Sequence, residues 1–321
     1  MKLGVLLFSQ ATSWKDFRAA AILADRVGYD HIWTWDHLYA IFGDPYQSIF
    51  EGWTTIAALA GMTTRAHLGL MVGANTFRNP GIVAKMATTI DHASDGRAIL
   101  GIGAAWFELE HRAHGIDFGS TPGDRLRWLE EAVGVVRGLL DGKEVNHRSK
   151  KYAFEGARHS PLPVQRRLPI MIGGGGEKKT LRIVAKYADM WNLTQSDPEA
   201  MQHKDEVLRE HCRDVGRDER EIERTVLIRP VIRNDRAEAE RVWDAQMAHN
   251  KVSTADPKRR DPNEHVAGTV DDLEQLLSGY AAIGFNTVIL ELPSPFDHET
   301  IERFATEVRP RLETAAPATT R

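Results

Sequence analysis

The sequence predicts a (β/α)8 barrel, a TIM barrel, with insertions. Three observations point there: eight apolar runs of strand length, near-continuous instead of alternating; helical patterns with recognisable starts between them; and 321 residues, enough for one barrel of ~250 residues with added segments. Near-continuous apolar runs are how parallel strands read when both of their faces are buried.

Strand 1 is Leu3 to Phe8. Ser13 with Asp16 three positions on resembles a capping box, and Phe17, Ala20, Ala21, Ala24 and Val27 form one apolar helix face closed by Gly28. Strand 2 is His31 to Trp35 and strand 3 is Leu68 to Val72. Asn79-Pro80 then sets a capping side chain ahead of a proline at the first helical position, and Thr121-Pro122 and Asp197-Pro198 repeat the device after strand 4, Ala98 to Ile102, and after strands 5 and 6, Pro169 to Gly173 and Met190 to Leu193. Strand 7, Val226 to Ile232, contains Pro230, which cannot donate to a ladder; strand 8 is Asn286 to Leu292. A β-α unit repeated eight times implies right-handed crossovers and a parallel sheet that can close. Residues 36–51, 143–168 and 251–268 exceed the repeat and read as insertions on a single domain of residues 1–312, with 313–321 a flexible tail.

Forty-one basic and 45 acidic side chains give a formal charge of −4, which argues against a generally basic nucleic-acid binder; any anionic ligand must be held by a local patch. One cysteine, Cys212, excludes an internal disulfide framework and fits a reducing, cytoplasmic setting. The stretch Leu3 to Phe8 is too short for a secretory signal, and no run of ~18 apolar residues marks a membrane span.

In a barrel the functional groups follow the C-terminal ends of the strands. After strand 5 stand Gly173 to Gly176, free to let a ligand approach the backbone, and Glu177-Lys-Lys-Thr-Leu-Arg182, which reads as a helix start that attracts phosphate, with Lys178, Lys179 and Arg182 as local positive charge. No Gly-Lys-Ser/Thr follows at P-loop spacing, so a phosphate on a larger cofactor fits better than a nucleoside triphosphate. Gly101-Ile-Gly103-Ala-Ala-Trp106 lacks the third glycine of a dinucleotide fingerprint; Ala104 and Ala105 leave room for a flat ring, with Trp106 either a wall of the pocket or core packing. Asp36-His37 after strand 2 pairs a carboxylate with an imidazole suited to proton relay. Glu108, His111 and His114 recur at helical spacing, as a metal face or a solvated turn, and Glu51 is a cleft carboxylate or a helix-start charge.

Tyr29-Asp-His-Ile-Trp-Thr-Trp-Asp-His37, Thr76-Phe-Arg-Asn-Pro80 leading to Ala84-Lys-Met-Ala-Thr-Thr-Ile-Asp91, Ser94-Asp-Gly-Arg97, Leu100-Gly-Ile-Gly-Ala-Ala-Trp106 with Glu110-His111, and Ile172-Gly-Gly-Gly-Gly-Glu-Lys-Lys-Thr-Leu181 together resemble the luciferase-like flavin and deazaflavin barrels, specifically the coenzyme F420-dependent oxidoreductases. The resemblance implies a deazaflavin at the barrel mouth, a non-proline cis peptide at Met71–Val72 behind its ring, ring contacts from Asp36, Ala74, Asn75, Ala104 and Ala105, and His37 near the hydride-accepting carbon. Gly174, Gly175, Gly176, Glu177 and Lys178, with Lys179 beside them, match the phosphate loop. It also implies a small-molecule substrate and a possible homodimer. Where the sugar-phosphate dehydrogenases of this family use a glutamate as acid, this chain has Trp106, which cannot exchange protons; Glu108 is a substitute acid or a group facing water. His37, Glu108 and Trp106 are thus the candidate catalytic residues, and no metal ligand is expected. The competing readings are an FMN-dependent monooxygenase on the same fold, a metal-dependent hydrolase using Glu108, His111 and His114, and a non-catalytic flavin-binding relative.

Overall fold

In the computed structural model, which describes residues 1–253 and 265–315, eight parallel strands close on themselves. Barrel strands 1 to 8 are Lys2–Leu7, His31–Thr34, His67–Leu70, Ala98–Gly103, Ile170–Gly173, Met190–Thr194, Glu223–Ile228 and Thr287–Leu292. Each pairs with the next, Leu68 opposite Ala98 joins strands 3 and 4, and Lys2 opposite Thr287 joins strand 8 back to strand 1. The interior is packed by side chains that alternate inward, among them Leu6, Phe8, Trp33, Ile99, Met171, Leu227 and Ile289. Gly69 makes that possible: a Cβ there would lie 2.6 Å from Trp33 Cζ3. Trp33 is fully buried and serves packing.

The outer layer is α1 Trp14–Val27, α2 Gly52–Ala60, α3 Pro80–Ala93, α4 Glu108–Ala113, α5 Pro122–Leu140, α6 Thr180–Tyr187, α7 Pro198–Val215, α8 Arg236–His249 and α9 Val270–Ala282, then α10 His298–Arg303 and α11 Arg309–Ala315 joined by a π turn. Asn79, Thr121 and Asp197 cap their helices with proline following, each worth about 1 kcal/mol. Ser13 caps α1, but its hydroxyl donates to the Asp16 carboxylate, so the reciprocal arm of a capping box is spent on the side chain.

Pro230 acts as its chemistry dictates. The barrel strand stops at Ile228, and Pro230–Ile232 turns out to pair in parallel with Val266–Gly268. The insertion at 143–168 contains an antiparallel hairpin, Val145–Arg148 with Ala153–Ala157, and is pinned to α3 by the fully buried Asp91, whose carboxylate accepts from Val164 N at 2.7 Å, Gln165 N at 3.1 Å and Gln165 Nε2 at 2.7 Å. Residues 254–264 of the third insertion, including Lys258-Arg259-Arg260, lie outside the described residues. Helix α11 carries the chain past 312 to Ala315; 316–321 lie outside as well. Among the described residues no helix is long and apolar enough to cross a membrane.

Candidate active site

A cavity of about 420 Å³ opens at the C-terminal ends of the strands. Its floor is poor in side chains. Met71 and Val72, joined by a cis peptide bond, rise between Gly73-Ala74, Gly103-Ala104-Ala105 and Gly173-Gly174. A Cβ on Gly103 would lie 2.6 Å from Val72 Cγ2, so glycine is required for the floor to lie flat. Ala105 sits at φ 63°, a left-handed conformation that costs a non-glycine residue roughly 1–2 kcal/mol, and the turn it makes delivers Trp106 to the cavity mouth. Trp106 is a wall there, 62% exposed, its ring 5.6 Å edge-on from His37 and stacked on Phe107 at 5.3 Å.

Asp36 lines the cavity but is fully engaged within the fold. Its Oδ2 accepts from Ala74 N at 2.8 Å and Arg78 Nη1 at 2.7 Å, and its Oδ1 from Arg78 Nη2 at 3.0 Å. Burial pushes the carboxyl above its usual range, with the Arg78 guanidinium pulling the other way. Arg78 also donates to Glu51 Oε1 at 2.6 Å. Glu51 therefore combines both expected roles: it caps α2 through Trp53 N and Thr54 N and it closes this charged network. Its own burial would raise its pKa, but the bonds from Thr54 and the charge of Arg78 outweigh it, and the carboxyl is held low.

His37 Nδ1 lies 2.9 Å from Oε1 of Glu110, a carboxylate with 1% of its side chain exposed. Glu110 Oε2 accepts from Leu38 N at 2.8 Å and Tyr39 N at 3.4 Å. A carboxylate only accepts, so Nδ1 carries the proton and the lone pair of neutral His37 is on Nε2, the nitrogen left for a ligand. Glu110 thus fixes both the tautomer of His37 and the start of the 36–51 insertion.

Across the barrel from strand 4, the wall is Trp35, Leu227, Arg229 and Glu291. Glu291 Oε2 accepts from Arg229 Nε at 2.5 Å and its Oε1 from Trp35 Nε1 at 3.1 Å. Phe42 of the insertion stacks on Trp35 at 5.8 Å and lies under the Arg229 guanidinium at 5.1 Å. Gln10, fully buried after strand 1, holds that segment: its Oε1 accepts from Ile41 N and Phe42 N, and its Nε2 donates to Phe42 O and to Asn250 Oδ1, each between 2.9 and 3.1 Å.

Some expected site residues stand elsewhere. Glu108 is exposed in the first turn of α4 and off the cavity; Glu110, two residues on, is the carboxylate that turns inward. Asn75 is buried against Tyr152 of the 143–168 insertion, whose phenol burial pushes up to about 12, and it supports the floor through its N–H to Gly103 O at 3.0 Å. Of the glycine loop only Gly173 and Gly174 line the cavity; Gly175, Gly176, Glu177, Lys178 and Lys179 run outward, and α6 begins at Thr180, three residues later than expected. Glu177 faces α7, 3.4 Å from Lys204 Nζ and 3.5 Å from His203 Nε2. Trp191 is core behind the loop, its Nε1 donating to Gly174 O.

The metal face does not form. His111 Nδ1 reaches Phe107 O at 2.7 Å and Nε2 reaches Thr76 Oγ1 at 2.6 Å, while burial lowers the pKa of the ring, so both nitrogens are spent within the fold. His114 Nδ1 is engaged by Glu110 O at 2.9 Å. Arg229 and Glu291 were not singled out in the sequence, Arg78 and Glu110 entered only within the segments that carry the resemblance and without a role, and Gln10 only as a residue following strand 1; Glu291 carried one local signal, a lone carboxylate in an otherwise apolar strand.

The family model described as luciferase-like monooxygenase matches residues 1–298. The chain belongs to this family. Within the luciferase-like monooxygenase family, an F420-dependent glucose-6-phosphate dehydrogenase of Kineococcus radiotolerans is 27% identical over 317 residues, 91% of each chain. An uncharacterised protein of Mycobacterium tuberculosis is 30% identical over 154 residues; that match spans 48% of this chain and about half, 53%, of its relative. A solved F420-dependent secondary alcohol dehydrogenase, in complex with an F420-acetone adduct, superposes with a TM-score of 0.82 at 22% identity over 97% of this chain and 98% of that one, a likeness of fold.

Proposed function

We propose that the cavity holds the deazaflavin of coenzyme F420 and that the protein is an oxidoreductase moving a hydride between F420 and a small organic substrate. The observation that carries this reading is the flat floor of Gly73, Ala74, Gly103, Ala104 and Ala105 set beside His37, whose Nε2 lone pair Glu110 holds in place. The similarity to an F420-dependent dehydrogenase over nine-tenths of the chain supports the choice of cofactor. When bound, F420 supplies a carbon centre that exchanges a hydride as an electron pair.

The chain supplies position and proton handling. Asp36, locked by Arg78, fixes Ala74 and with it one side of the ring site. Gly174 begins the glycine-rich turn toward Lys178 and Lys179, which would meet the anionic tail. His37 Nε2 takes the proton that a substrate hydroxyl loses, or returns it in the reverse direction, and Glu110 stabilises the imidazolium that forms. Trp106 has no proton to give and walls the site against water. An FMN-dependent monooxygenase is the competing reading, because the same floor accepts a flavin. Titration of the cofactor-free protein with F420 and with FMN separates them: saturable F420 binding is expected, and FMN binding with no F420 binding overturns the proposal.

A further inference from the structure

Of eight tryptophans, six are buried and one is half-buried; Trp106 alone is exposed, at 62%. A single exposed indole is ordinary in itself; this one lines the mouth of the cavity, where a flat aromatic face is suited to stack on a ligand ring. Trp106 is also held where it is. The left-handed Ala105 turns the chain outward, and Phe107 backs the indole at 5.3 Å with the rings only 25° from parallel. The cavity behind it is about 420 Å³ and must take the cofactor head as well as the reacting part of the substrate. Of the rings inside, Trp35 is 4% exposed and packed against Phe8 and Phe42, so Trp106 carries by far the most open aromatic surface of the lining.

We propose that Trp106 is the platform for substrate recognition and that the substrate carries a planar aromatic group, which stacks on the indole at the mouth while the reacting carbon lies inside beside His37. The position of the reacting carbon rests on the function proposed above; the stacking does not require the cofactor to be F420. A rigid indole one ring-width from His37 orders the substrate at little entropic cost, because both rings are already fixed.

The test compares two ketones of the same shape class, acetophenone and cyclohexyl methyl ketone, binding to the F420-loaded protein, read by saturation-transfer NMR and titration. Acetophenone is expected to bind several-fold more tightly. Trp106→Ala should remove roughly three- to ten-fold of that preference and Trp106→Phe should keep most of it. Equal affinities of the two ketones for the unaltered protein overturn the proposal. So does a Trp106→Ala variant that loses F420 affinity as strongly as ketone affinity, which makes the indole a cofactor wall, or one whose mass by light scattering differs, which makes it a contact between two copies. Failure of F420 to bind while the aromatic preference persists overturns the proposed function and leaves this inference standing.

Discussion

Replacing Glu110 by glutamine separates charge from shape at the centre of the site. The amide keeps the size of the side chain and keeps one oxygen for Leu38 N, now bonded at 2.8 Å, but it sets an N–H₂ group where a carboxylate oxygen faced His37 Nδ1 at 2.9 Å. Two donors cannot face each other, so the imidazole answers by moving its proton to Nε2. The nitrogen left for the ligand then donates where it accepted, and proton abstraction from a hydroxyl fails. A positioned base contributes roughly 10²–10⁴-fold, so Glu110→Gln should lower kcat by about 10²-fold or more with KM changed little. The stability cost is one charge-assisted hydrogen bond weakened in a buried place, about 1–2 kcal/mol, measurable by urea unfolding. Glu110→Ala is a harsher variant: it strands the N–H groups of Leu38 and Tyr39 and should cost about 3–5 kcal/mol. The assay is F420 absorbance during turnover, paired with unfolding curves for both variants. If Glu110→Gln turns over within three-fold of the unaltered enzyme while His37→Ala is inactive, the tautomer argument is wrong and Glu110 is only a brace for the insertion.

Gly103→Ala places a methyl 2.6 Å from Val72 Cγ2, so it should weaken F420 binding by roughly ten-fold or more and destabilise the fold by about 1–3 kcal/mol; F420 titration and thermal unfolding check both, and unchanged affinity removes Gly103 from the floor. His31, buried beneath the barrel near Glu223, His67, Lys2 and Asp30, has its pKa lowered by burial to about 4. The unfolded chain therefore binds a proton at this position that the folded one refuses, and stability present above pH 6.5 is lost as pH falls toward 4, by about 3 kcal/mol. The difference between unaltered protein and His31→Gln across that window isolates the effect; parallel curves would refute it. Gln10→Glu turns two donors into acceptors facing Phe42 O and Asn250 Oδ1, and should cost about 2–4 kcal/mol in urea unfolding, a loss below 1 kcal/mol showing that the segment is held by other means.

The barrel was legible because its signals are local. Near-continuous apolar runs need no partner to be recognised, and Asn79, Thr121 and Asp197 cap helices through bonds spanning two or three residues. The site was legible where chain order and strand ends coincide, at Asp36, His37, Gly103 to Trp106 and Gly174. It was not legible where helix phase or distant pairing decides. Glu108 and Glu110 are two residues apart on a six-residue helix, about 200° around its axis, and so short an element gives no periodicity from which to choose between them. Arg78, 42 positions from Asp36, and Glu291, 62 from Arg229, find their partners only when neighbouring strands, 2 with 3 and 7 with 8, pair side by side. Lys178 and Lys179 stand on the turn that precedes α6, outside the cavity; the glycine run marks that turn in the sequence but not how far it carries them.

The amide clasp between Gln10 and Asn250 joins residues 240 positions apart, and Gln47 Nε2 adds a bond to Asn250 O at 3.0 Å. Gly43 packs so closely on the same turn that a Cβ would lie 2.1 Å from Asn250 O. The segment that shapes the mouth is consequently no interchangeable cassette. Grafting residues 36–51 from a relative would import a loop without its far-off moorings, so Gln10, Gly43, Gln47 and Asn250 must be exchanged as a set if substrate preference is to be transplanted between members of the family.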